Sequence, residues 1–425
     1  NHTGRDFFAF KDIQQNRESS QYRDWYCNVN FQGNNEYNDG FSYDNWGGYN
    51  LLVKLNQQNP AVRQYLLDVV KYWVSEFDVD GIRLDAADVL DFGFMHELRM
   101  LANEIKPEFW LMGEVIHGDY SRWVNPDMLH SVTNYQLYKA LYSGHNEHNY
   151  FEIAHTVRYL LDKGNLPYHL YNFVDNHDVE RIYTRLHNKQ ESVPVHILMY
   201  TLPGIPSIYY GSEFGIEGRK EKHSDAVLRP AINLKDYPNA VSENVCTNII
   251  ARLGKIRQKN PVFTDGIYQE LRLTNRQYAF SRTNEITQAI VVVNNDEADS
   301  SLEIPATGTY TELLSGEIQT VDGNLHVHLR ACSGQIWMKD YDETVTKETE
   351  VKIPEIKQVA VKEETIKQVT VDHSKSYEEM SVEELQACVL EKLAKNGPVT
   401  EQMKRDVANN VYHDSLVNWV KSFRN

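Results

Sequence analysis

The chain has 425 residues, with 60 acidic against 43 basic side chains and a formal charge of −17. That balance argues against nucleic acid or an anionic membrane as the main partner, because both need clustered positive charge. Hydrophobic residues make up 41% without an apolar run near the roughly 18 residues of a spanning helix, so the sequence reads as a soluble globular protein of about two to four domains with a neutral ligand.

Asn59 is placed to cap a helix that opens with Pro60 and repeats Val62, Leu66, Val69, Trp73 and Phe77 at helical spacing. A strand over 79–85 follows, reading Val-Asp-Gly-Ile-Arg-Leu-Asp. The next helix carries Phe94, Leu98, Leu101 and Ile105 on one face and stops at Pro107, before a strand over 109–115. Further strands are expected at 131–135, 171–175 and 205–210, with helical stretches near 151–162 and 192–202. Such alternation implies a parallel sheet, doubly wound or closed as a barrel. Asp85, Glu114 and the cluster from Asp175 to Asp178 all fall at C-terminal strand ends, which in a barrel meet around one mouth. No Gly-rich phosphate fingerprint follows these strands, which disfavours a nucleotide-binding sheet.

A helix over about 246–258 precedes Pro261, where the pattern changes. Short alternating stretches at 277–281, 288–293 and 334–338 predict a small antiparallel β domain over 261–340. Residues 341–376 read as a linker or weak strands. A helical tail over 377–425 opens with the capping box Ser381 to Glu384 before Leu385, Val389 and Leu393. A second helix from Thr400 would carry Met403, Val407, Val411 and Trp419. Cys27, Cys246, Cys332 and Cys388 lie far apart with no Cys-x-x-Cys pair, so free, mostly buried thiols are expected.

Three acids around one rim are what hydrolysis or transfer of a glycosidic bond requires. Asp85 is assigned as nucleophile, because strand alternation puts Arg83 on its face and a guanidinium holds a carboxylate ionised. Glu114 ends the apolar run 109–112 and is the better proton donor, since desolvation raises a carboxyl pKa. Asp178, beside His177, is left to orient sugar hydroxyls and offset developing positive charge. An Arg-x-Asp pair serves equally well as a structural ion pair, and a lone Gly-Glu-Val carries almost no information. Val174 to Asp178 is harder to place in a core, given the cost of burying unpaired polar groups. A metal held by His177 and its two acids is the competing reading there.

In order and spacing, Gly81-Ile82-Arg83-Leu84-Asp85-Ala86-Ala87-Asp88, Gly113-Glu114-Val115 and Phe173-Val174-Asp175-Asn176-His177-Asp178 resemble the signature regions of the α-amylase family of glycoside hydrolases, family 13. Asn1-His2 is similar to the end of that family's first signature region. The resemblance covers roughly residues 1–340. It implies a (β/α)8 TIM barrel acting on α-glucans with retention, over 1–260 here, including an excursion after the third strand at about 5–57. A small antiparallel β-sandwich domain and the helical tail would follow. It implies Asp85 as nucleophile, Glu114 as acid/base and Asp178 as transition-state stabiliser, with Arg83, His2 and His177 at positions that contact the nucleophile or the sugar.

Gly204 to Gly211 resembles the family's eighth strand, and Val53-Lys54-Leu55-Asn56 resembles more closely the end of a motif of the neopullulanase and cyclomaltodextrinase group. That resemblance implies cleavage of α-1,4 bonds in maltodextrins, cyclodextrins or starch fragments, and a homodimer of the kind formed in the group. An α-glucanotransferase of the same family and a noncatalytic α-glucan-binding barrel are the alternatives. Asp88-Val89 depart from the family's Lys-His and the group's Asn-Glu, at positions bearing on the leaving-side subsites. Asn1 matches a calcium-ligand position, but Val89 and Asn56 replace other expected partners, so no cofactor is assigned and calcium stays open. Because residue 1 falls at the end of a barrel strand, the first strands are expected upstream of this chain. Unpaired cysteines and the subgroup favour a cytoplasmic location.

Overall fold

A computed structural model describes residues 1–222, 224–340, 376–377, 380–396, 407 and 420–421. The chain divides into two compact units, residues 1–349 and 350–425. In the first, β1 (His2–Gly4) and β2 (Asn45–Trp46) both pair antiparallel with β3 (Tyr49–Lys54). With α1 (Phe8–Asn16) they occupy the stretch expected as an excursion, and Phe10, Ile13, Tyr26, Phe41 and Val53 pack together there in a core.

The helix expected after Asn59 is α2 (Pro60–Phe77), and the Asn59 side chain accepts the Ala61 N–H at 2.8 Å as its cap. Its buried side chains are Val62 and Val70, whereas Trp73 and Phe77 are 41% and 64% exposed. The outer half of the predicted apolar stripe thus faces solvent: the helix packs on α3 (Phe92–Ile105) through its other side.

Parallel strands β4 (Gly81–Leu84), β5 (Trp110–Gly113) and β6 (Ser131–Val132) pair in chain order. A parallel bridge from Thr133 to Tyr171 carries the arc on to β7 (Tyr171–Asn172), which pairs with β8 (Ile205–Pro206). Between them lie α4 (Tyr135–Asn146), α5 (Tyr150–Leu161) and α6 (Ser192–Thr201), and α7 (Val245–Lys259) follows. The last three strands are shorter than predicted. After β6, for instance, the Asn134 side chain accepts the Leu137 N–H and starts a helix, so Tyr135 is helical and not the end of a strand.

Six antiparallel strands follow, β9 (Ile267–Leu273), β10 (Gln277–Thr283), β11 (Gln288–Asn294), β12 (Ser300–Glu312), β13 (Ile318–Leu329) and β14 (Ser333–Lys339). They form one sheet in the order β13-β12-β14-β11-β10-β9. The long hairpin β12–β13 had no counterpart in the sequence pattern, because its Thr, Gly and Asn residues alternate too weakly. Period-two alternation gives the central strands β10, β11 and β14 two buried faces. Tyr278, Phe280, Val291 and Val293 join the barrel helices in one core, while Ala279, Ile290, Val292 and Trp337 join Leu325 and Val327 in another.

Glu191, just before α6, is buried at the seam between barrel helices and β domain, and neither carboxylate oxygen has a hydrogen-bond partner. His148 Nδ1 lies 3.7 Å away and donates to the Asn295 carbonyl at 2.6 Å. All four cysteines are free, and burial pushes the Cys332 thiol up to about 11.

In the second unit, α8 (Val382–Asn396) starts as predicted, with the Ser381 N–H donating to Glu384 Oε2 at 2.7 Å and the Glu384 N–H to Ser381 Oγ at 3.2 Å. Leu385, Cys388 and Val389 pack there with Val407 and Val420. The expected linker up to residue 375 and most of the second tail helix, including Met403, Val411 and Trp419, lie outside the described residues. Among the described residues no helix is long and apolar enough to cross a membrane.

Candidate active site

Alternation along β4 and into Asp85 puts Arg83 and Asp85 on one face, and Arg83 Nη1 donates to Asp85 Oδ1 at 3.1 Å. The same guanidinium reaches Glu114 Oε2 at 3.1 Å through Nη2. Sequence reasoning paired Arg83 with Asp85 alone. The in-register pairing of Leu84 with Gly113 brings Glu114 alongside, so one cation spans both carboxylates.

Local backbone fixes the second acid. The chain turns at Ala86 with φ 45°, a left-handed conformation that costs a residue with a Cβ roughly 1–2 kcal/mol. This turn aims the Ala86 N–H at Glu114 Oε2, 3.3 Å away. Gly113 makes the close approach possible, since a Cβ there would stand 2.5 Å from Leu129 and 2.8 Å from Ala87. The Glu114 side chain is 12% exposed and that of Asp85 63%.

Tyr135 and Asn176 connect Glu114 to the third acid. The Tyr135 hydroxyl lies 3.5 Å from Glu114 Oε1 and accepts from Asn176 Nδ2 at 3.0 Å. Burial pushes the Tyr135 phenol up to about 12, with Glu114 acting in the same direction, so it stays protonated. Asn176 Oδ1 accepts the N–H groups of Asp178 at 2.8 Å and Val179 at 3.1 Å, holding the turn that presents Asp178. Asp178 Oδ2 faces His177 Nε2 at 3.1 Å, and its Oδ1 accepts from Arg229 Nη2 at 2.9 Å. Lys220 Nζ donates to the Asp178 carbonyl at 2.7 Å.

Asp175 does not join this rim. It is buried, accepts from Ser212 Oγ at 2.7 Å and from the Ile182 N–H at 2.8 Å, and burial pushes its carboxyl up to about 6. The run Val174 to Asp178 therefore divides: its start braces the loop after β8 and only its end faces the mouth. With Asp175 turned away, a metal held by His177 and both acids does not fit the arrangement.

His2 lies at the excursion side, its Nδ1 3.2 Å from Asn1 Oδ1 and its ring centroid 6.0 Å from that of Trp46. Burial lowers the His2 pKa while Asp85 pulls it back up. A cavity of about 360 Å³ adjoins Glu114, lined also by Asn1, Trp46, Lys54, Asp88 and Val89. A larger one, about 580 Å³ beside Trp110, His130 and Ile205, lies at the opposite ends of the strands and touches none of the three carboxylates.

The donor set around Asn1 does not suit calcium, which takes six to eight oxygens. Asn1 Oδ1 faces His2, Asn1 Nδ2 donates to the Val89 carbonyl at 3.3 Å, and Asn56 Nδ2 turns to the Asp24 carbonyl at 3.1 Å. Arg229 and Tyr135 escaped sequence reasoning. Arg229 lies 51 residues beyond Asp178 in a loop without periodic pattern, and Tyr135 sits where a strand was expected.

The sequence matches the alpha amylase catalytic domain over residues 1–255 and the alpha amylase C-terminal all-beta domain over 272–364. Neopullulanase 2 of Thermoactinomyces vulgaris is 30% identical over 353 residues, covering 79% of this chain and 58% of the relative. A cyclomaltodextrinase of Thermoanaerobacter pseudethanolicus is 29% identical over 334 residues, covering 76% and 56%. The chain thus spans a little over half the length of these two relatives. The structure of the native Nostoc punctiforme debranching enzyme superimposes with a TM-score of 0.66 at 28% identity, covering 79% of this chain and 74% of that one. With the catalytic-domain match taking in more than half of its residues and the β-domain match following in order, the chain belongs to the α-amylase family.

Proposed function

We propose that the natural protein is a retaining glycoside hydrolase that cleaves α-1,4 bonds in maltodextrins, cyclodextrins or starch fragments. The observation that carries this reading is the Arg83 guanidinium spanning Asp85 and Glu114 at the C-terminal ends of adjacent strands. Asp85, the more open carboxylate, attacks the anomeric carbon and forms a glycosyl-enzyme ester as the bond to the leaving oxygen breaks. Glu114, enclosed beside Ala86 and Tyr135, gives its proton to that oxygen and then takes one from the water that hydrolyses the ester. Asp178, steadied by Arg229 and the Asn176 turn, offsets charge on the oxocarbenium-like transition state. His2 and His177 flank the sugar, and the leaving side occupies the cavity between Glu114 and Trp46.

Asp85→Asn in the intact natural protein is expected to lose maltodextrin cleavage on the order of a thousandfold or more. Turnover retained within tenfold of wild type overturns the assignment. Products longer than a single maltooligosaccharide substrate would instead identify a glucanotransferase, since only transfer to a sugar hydroxyl lengthens a chain. The four free thiols support a reducing compartment such as the cytoplasm.

A further inference from the structure

The β12–β13 hairpin carries two histidines for which the active site has no use. β13 ends Leu325-His326-Val327-His328-Leu329, and its alternation sends Leu325, Val327 and Leu329 into the β-domain core. Both imidazoles therefore stand on the outer face, 71% and 68% exposed. Directly across the ladder are Glu303, opposite His326, and Ser301, opposite His328. Glu303 Oε1 lies 3.6 Å from His326 Nδ1, and Ser301 Oγ lies 3.1 Å from His328 Nδ1. Asp299 Oδ2 is 3.8 Å from His328 Nε2.

The geometry points to a surface chelate for a late first-row divalent cation, represented by Zn²⁺, with His326 and His328 supplying two imidazole nitrogens from one strand. Residues two apart on a strand stand side by side at about 6.6 Å, close enough for both rings to reach a common ion at bonds of about 2.0–2.1 Å. Imidazole is a preferred donor for Zn²⁺, Cu²⁺ and Ni²⁺. Ser301 hydrogen-bonds the His328 Nδ1 and the Glu303 carboxylate stands beside the His326 Nδ1, which leaves each Nε2 for the ion. Asp299 stands beside one Nε2 and is placed to approach the ion, and water fills the remaining positions of a four-coordinate site.

Two features prepare the pair. Its strand is laddered to β12 over 12 residue pairs, with a buried side chain on either side of each histidine, so the backbone holds the spacing without ordering on binding. The two carboxylates and the overall charge of −17 favour cation approach. Among the described residues no group of three or more His, Cys, Asp or Glu stands ready around one point, so the site rests on the two imidazoles, with carboxylates in support.

Calorimetric titration of Zn²⁺ into the tag-free chain tests this. We expect His326→Ala and His328→Ala each to weaken the same binding event at least tenfold, while His155→Ala, an exposed imidazole on α5, leaves it unchanged. Circular dichroism matching wild type shows that these solvent-facing substitutions leave the fold intact. No Zn²⁺ uptake by wild type, or wild-type affinity in the His326→Ala/His328→Ala double variant, overturns the proposal.

Discussion

Replacing Glu191 by Gln probes what a carboxyl costs at the seam between barrel and β domain. Glu191 is 1% exposed, and neither oxygen has a hydrogen-bond partner. Burial pushes its pKa up to about 8, Glu297 adds to the rise and Arg276 opposes it. In the unfolded chain the group ionises near its ordinary value of 4.5. Between these limits the folded state keeps a proton that the unfolded state has released, so stability falls as pH rises, by about 1.4 kcal/mol per pH unit for one proton. From pH 4.5 to pH 7 the accumulated cost is about 3 kcal/mol. The amide has nearly the same shape and no charge to lose. Glu191→Gln is therefore expected to match wild type near pH 4.5 and to be more stable by about 3 kcal/mol at pH 7. Urea unfolding midpoints measured from pH 5 to pH 8 read the difference directly. A difference between variant and wild type that stays constant over that range would refute the reasoning, because it would show that the buried carboxyl holds no extra proton.

Tyr135→Phe removes the hydroxyl between Glu114 and Asn176 without altering the ring packing on Phe173. We expect kcat for maltodextrin cleavage to fall by about tenfold or more and the pH–rate profile to move, whereas a purely structural effect would leave the profile in place. Asn59→Ala deletes the cap of α2, with an expected loss of about 1 kcal/mol. Chemical denaturation checks it, and Asn59→Asp should recover most of the loss.

Legibility in the sequence followed the range of the interactions involved. Helix starts at Asn59 and Ser381 were readable because a cap and the N–H it satisfies lie within three residues. The gathering of Asp85 and Glu114 around Arg83 was partly readable, because strand alternation ties Asp85 to Arg83 and because each motif stands at a strand end. Burial was harder. Trp73 and Phe77 continue a helical stripe that the fold leaves half exposed, and Asp175 looks like its neighbours in a polar run yet is buried against Ser212. Which residues of that run face inward depends on a loop some 37 residues later, and nothing local reports it. Arg229 and the second contact of Arg83 escaped for the same reason. Each depends on the pairing of strands or loops distant in sequence, where neither periodicity nor composition leaves a trace.

The two-faced β sheet bears on how the chain comes apart. Pro261 marks a change of pattern, and it invites cutting the chain into an enzyme and an appendage. Yet Tyr278, Phe280, Val291, Val293, Ile336 and Met338 share one continuous core with Leu141, Val157, Val195 and Leu198 of the barrel helices. Removing the β domain would open that core to water along α4, α5 and α6, at roughly 1.5–3 kcal/mol for each large side chain uncovered. The seam is a boundary in the sequence and an interior in the energetics, so both parts should melt in a single cooperative transition, and a protease cut near Pro261 should leave the two pieces associated.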